Sequence, residues 1–114
     1  MIGLVADAHG NGLAFDRAVS LLLEKGAEQL YFLGDAVGYV PSTSVLDSLV
    51  CLGDRVSSIR GNHESMLLEG NIDPKKEAVY QLEALRPSLS SQHLKMISSW
   101  PILRKEKLFE VDVM

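Results

Sequence analysis

Three short stretches hold most of the residues able to do chemistry: Asp7-Ala8-His9, Gly34-Asp35 and Gly61-Asn62-His63-Glu64. Their oxygen and nitrogen donors, with no cysteine among them, suit Mn, Fe or Zn and suit Ca less well. An aspartate can bridge two cations through its two oxygens. Two cations about 3.5–4 Å apart can grip a phosphate and activate a water between them. Asp35 fits the bridging role, because the strand before it is the middle one in sequence and Gly34, Ala36 and Gly38 let the backbone approach closely. His63 directly follows Asn62, so it can sit beside the ions and pass a proton to a leaving oxygen. Singly, each stretch also reads as a turn or a helix cap. Their joint occurrence behind three strands favours a site.

The elements that would carry these stretches follow from the apolar pattern. Residues 2–6 and 30–33 are continuous apolar runs, and 56–59 is a weaker one. Such runs, alternating with helices, are the mark of parallel strands buried on both faces. Residues 13–25 show helical spacing, with Ala14, Ala18, Leu21 and Leu22 on one face and Gly26 as a stop. Residues 44–52 form a second helix, with Val45, Leu46, Leu49 and Val50 together and Gly53 at its end. The order β-α-β-α-β puts the C-terminal ends of the strands on one edge, where ligands bind in open α/β sheets. All three stretches should meet there. Further on, 76–85 and 90–100 read as helices, and 102–114 as a hairpin in which Phe109, Val111 and Val113 alternate with Glu110 and Asp112.

The bulk numbers narrow the field. The chain has 114 residues, enough for one domain, and a formal charge of −4 with pI about 5.3. No basic stripe is present, which argues against a nucleic-acid backbone binder. Arg104-Lys105-Glu106-Lys107 reads as a solvated turn. The single cysteine, Cys51, excludes an internal disulfide and is expected to be a small buried hydrophobe. The N-terminus has neither a signal peptide nor a membrane span, so a cytoplasmic protein is expected. No glycine-rich phosphate loop follows the first strand, which disfavours a nucleotide-binding α/β domain.

With Asp7-Ala8-His9, Gly34-Asp35-Ala36-Val37-Gly38 and Gly61-Asn62-His63-Glu64 in this order, the sequence resembles the calcineurin-like metallophosphoesterases, in particular their small single-domain bacterial and archaeal phosphodiesterase branch. The resemblance implies a four-layer α-β-β-α sandwich that binds two divalent ions (Mn, Fe, Zn or Ni) and hydrolyses phosphomonoesters or phosphodiesters with a metal-bound hydroxide. It implies that Asp7 and His9 bind the first ion, Asp35 bridges, and Asn62 binds the second. His63 would contact the phosphate and protonate the leaving group. Glu64, in place of the commoner aspartate, would orient that histidine, and Asn11 would line the site.

The family's later Gly-His and Gly-His-x-His motifs have no counterpart here. Of three histidines, His93 lacks a preceding glycine and is expected to be a surface or helix-face residue. The expectation is therefore one incomplete domain over 1–114, the N-terminal half of the sandwich, truncated near the start of the second sheet. One weak metal site and impaired phosphoesterase activity should follow. The uncovered sheet should pair in a homodimer or oligomer, because exposed apolar faces associate. The rival expectation is a non-catalytic metal- or partner-binding module that retains half of the fold.

Overall fold

In the computed structural model, which describes residues 2–102, 106–108 and 111–113, the first half of the chain alternates strand and helix. β1 (Ile2–Val5), α1 (Gly12–Glu24), β2 (Gln29–Phe32), α2 (Ser44–Leu52) and β3 (Val56–Ser58) follow in order. The strands form a parallel sheet in the order β1-β2-β3, with Gly3 opposite Leu30 and Leu30 opposite Val56. Parallel crossovers are right-handed. Two of them stepping the same way across the sheet place α1 and α2 on the same face. That face is the core. Phe15 and Val19 of α1, Leu30 and Phe32 of β2, and Val45, Leu46 and Leu49 of α2 are all buried. Phe32 meets Phe15 edge-on at 5.7 Å between ring centroids and Trp100 at 5.8 Å.

Strand side chains alternate between faces, so Leu4 and Leu33 point away from the helices and are exposed. These exposed residues agree with the uncovered sheet expected of half a sandwich rather than with strands buried on both faces. The stripe on α1 also differs from the one read from spacing. Phe15 and Val19 are buried and Leu22 half-buried, while Ala14 and Leu21 face solvent. Phe15 carries the largest apolar area in the helix and sets the rotation by reaching Phe32. Cys51 is exposed rather than buried, because it lies about 200° around α2 from Leu49, off the buried stripe.

The second half is mostly helical: α3 (Asn62–Glu69), α4 (Pro74–Tyr80), α5 (Leu82–Leu85) and α6 (Ser91–Ser99). The single helix expected over 76–85 is two, broken at Gln81, which adopts a left-handed conformation with φ 54°. α3 was not legible as a helix, since its sequence has little apolar periodicity. Of its residues, Leu67 is buried with His63 and Glu64. His93 is buried rather than on the surface. It accepts the Ser90 N–H at Nδ1 (3.1 Å), so Nε2 carries the proton given to Asp47 Oδ1 at 2.6 Å. This pair ties α6 to α2. β4 (Glu106–Leu108) and β5 (Val111–Val113) form the expected antiparallel hairpin; the side-chain alternation from Phe109 to Val113 lies outside the described residues. No described helix is long and apolar enough to cross a membrane.

Candidate metal centre

The three chemical stretches leave the same sheet edge, and their backbones are braced against one another. Asp7 N–H donates to Gly34 O (3.1 Å), His9 N–H to Asp35 O (2.9 Å) and Gly10 N–H to Ala36 O (2.8 Å). Beyond the strand ends the chain turns through left-handed backbone: φ is 55° at Asp7, 45° at His9, 62° at Asp35 and 68° at Tyr39. Asp and His tolerate this region better than most side chains, and a bulky tyrosine tolerates it poorly. Such outliers persist only where surroundings hold them, and they cluster at functional sites. Two glycines are required by close approach. A Cβ on Gly61 would strike the Asp35 carboxylate, and one on Gly38 would strike the His63 ring.

Asp7, His9 and Asp35 each offer a ligand atom, and these atoms lie within 4.8 Å of one another. His9 Nδ1 faces the Val37 carbonyl at 3.3 Å. A carbonyl only accepts, so Nδ1 holds the proton and the Nε2 lone pair, 4.0 Å from Asp7 Oδ1, is free to ligate. A backbone carbonyl fixing the tautomer in this way is the usual support of a metal-binding histidine. Asn62, at the first turn of α3, packs its amide against both Asp35 oxygens at 3.1 and 3.2 Å. With its nitrogen inward it donates to them. The donor set of Asp7, His9 and Asp35 thus fits a hard or borderline divalent ion.

His63 is only 3% exposed. Its Nδ1–H donates to the same Val37 oxygen at 2.8 Å, and its backbone N–H donates to Asp35 Oδ1 at 3.1 Å. One carbonyl therefore orients both site histidines. Glu64, fully buried, does not hold the His63 ring. Its Oε1 accepts the N–H groups of Asp35 (2.6 Å) and Gly61 (3.1 Å), clamping two of the three loops together. Burial pushes the Glu64 carboxyl above its ordinary value, against the backbone N–H bonds that favour the charged form. Asn11 is exposed and spends its side-chain oxygen on the Ala14 N–H (3.1 Å), capping α1. His93 lies away from this cluster, in its pairing with Asp47.

Sequence reasoning missed three parts of the site: the Val37 carbonyl, Tyr80, and Tyr39, whose ring centroid is 5.3 Å from His63. The Val37 carbonyl leaves no side-chain signature. Tyr80, whose ring centroid is 4.7 Å from His63, arrives from the α4–α5 break, which has no local motif.

The fold gathers a cluster of candidate metal ligands at the strand C-termini of an α/β protein. Residues 1–111 match the calcineurin-like phosphoesterase model. The chain belongs to that family. A metallophosphoesterase from Sphaerobacter thermophilus superposes on 88% of the chain with a TM-score of 0.66 and 25% sequence identity. The chain spans 41% of that protein's length and matches the N-terminal part of the fold. Among curated proteins none matches it.

Proposed function

We propose that this chain carries the phosphate-facing metal site of a phosphoesterase, with Asp7 and His9 on a first divalent ion, Asp35 shared, Asn62 on a second, and His63 as the proton donor. The observation that supports the reading most directly is the Val37 carbonyl, which takes the Nδ1–H of both His9 and His63. It leaves one Nε2 beside two carboxylates as a ligand and the other available to carry a proton to a leaving oxygen. When bound, the ions would polarise the phosphate and supply the nucleophile from water. The chain's own work is to hold the phosphate against the strand ends and to deliver the proton from His63 Nε2.

On this reading Asp7, His9 and Asp35 would hold the first ion, and only Asp35 and Asn62 the second. Loading should therefore be unequal, with Mn²⁺ held at the first position and weakly at the second, and turnover low. Titration with Mn²⁺ counts the sites. Filling of the first position together with slow, Asp35-dependent cleavage of a simple phosphodiester supports the reading. Ion binding with no turnover at any Mn²⁺ concentration favours a non-catalytic metal-binding module, and no binding refutes both. The exposed face bearing Leu4 and Leu33 supports a homodimer or oligomer joined through the sheet, which light scattering showing a stable monomer would refute.

A further inference from the structure

The proposed proton donor, His63, is roofed by aromatic rings. His9 lies 4.9 Å from it between centroids, Tyr39 5.3 Å and Tyr80 4.7 Å. Tyr39 also meets His9 edge-on at 4.9 Å and Tyr80 edge-on at 5.4 Å. Tyr39 remains 44% exposed while His63 is nearly sealed, so Tyr39 is the most exposed of the rings around His63. Its position is enforced. Its left-handed backbone is held by the Tyr80 carbonyl, which accepts the Tyr39 N–H at 2.7 Å, and by Gln81 Nε2, which donates to Tyr39 O at 3.1 Å. The α4–α5 break therefore acts on the site by placing two tyrosines beside it.

We propose that Tyr39, backed by Tyr80, is the specificity wall for the leaving group, and that the substrate class is a phosphoester bearing an aromatic group, aryl or nucleobase-containing. This rests on the phosphoesterase reading. A group that receives a proton from His63 must sit against the exposed Tyr39 ring, and a flat π-system gains most there. Stacking of a base on an aromatic side chain corresponds to roughly 5- to 100-fold in affinity.

The test uses the full chain with Mn²⁺ and two non-hydrolysable probes, phenylphosphonate and methylphosphonate, by calorimetric titration. Phenylphosphonate should bind about tenfold tighter. Tyr39→Asn, chosen because asparagine accepts the left-handed backbone, should bring the two probes within twofold of each other while Mn²⁺ affinity is unchanged. Tyr39→Phe should preserve the preference. If Tyr39→Asn fails to fold, Tyr80→Leu keeps the backbone brace and should halve the preference or more. Equal binding of the two probes to the wild-type chain overturns the proposal, as does an equal weakening of both by either variant. Mn²⁺ uptake with no binding of either phosphonate overturns the phosphoesterase reading itself and the inference with it.

Discussion

Glu64→Ala should loosen the metal centre without touching a ligand. In the native chain Glu64 Oε1 takes the N–H groups of Asp35 and Gly61. Truncation strands both donors in a site too tight for ready hydration, at about 1–3 kcal/mol each. The one buried methylene that is lost adds about 0.8 kcal/mol. Relief from burying a carboxylate returns part of this, so a net loss of about 3–5 kcal/mol is expected, a large fraction of the roughly 5–15 kcal/mol that stabilises a domain. Glu64→Gln keeps an acceptor for both N–H groups and should stay within about 1 kcal/mol of wild type at pH 7. Urea unfolding of the metal-free chain measures both. Mn²⁺ affinity should follow the same order, because the clamp positions Asp35. If alanine and glutamine behave alike, the two N–H bonds are not what Glu64 contributes.

The pH dependence supplies a second arm. Burial raises the folded pKa of Glu64 above its ordinary 4.5. The folded state therefore binds this proton more tightly than the unfolded state does. The stabilisation is full below about pH 4.5 and is lost as pH rises through the folded value. Glu64→Gln should flatten this part of the profile, leaving the variant relatively more stable on the alkaline side of the window than on the acid side. A profile whose slope is unchanged by the substitution would contradict the burial argument.

Asp35→Asn should cost more Mn²⁺ affinity than Asp7→Asn, at least tenfold by titration, because only Asp35 faces both positions; equal losses would remove the bridging role. Gly38→Ala should displace His63 and strain a backbone at φ 108°, lowering phosphoesterase turnover more than Mn²⁺ affinity, as kinetics and titration on the same sample would show. Asp47→Ala should destabilise the chain by about 1–2 kcal/mol in urea, since it leaves the His93 Nε2–H without its acceptor, while Mn²⁺ affinity stays at the wild-type value.

What could be read beforehand, and what could not, divides along physical lines. The alternation of β1, α1, β2, α2 and β3 was legible because continuous apolar runs and helical stripes are local patterns, and local patterns constrain topology through the right-handed crossover. The convergence of Asp7, His9 and Asp35 followed from that topology alone. The rotation of α1 was misread, because spacing treats Ala14 and Phe15 as equally apolar while packing ranks them by area. Cys51 and His93 were misplaced for a related reason. Whether such a residue is buried depends on its neighbour across the fold, Asp47 for His93 and open solvent for Cys51. The role of Glu64 was read as holding a ring when it holds two backbone donors, and backbone donors have no letter in the sequence. The left-handed turns at Asp7, His9, Asp35 and Tyr39 are the least legible feature of all. They run against the preference of each residue, so only the loop-to-loop hydrogen bonds that enforce them could have announced them. The parts of the site that escaped a sequence reading are therefore backbone parts: the shared Val37 carbonyl, the two N–H groups that Glu64 accepts, and the left-handed turn that holds Tyr39.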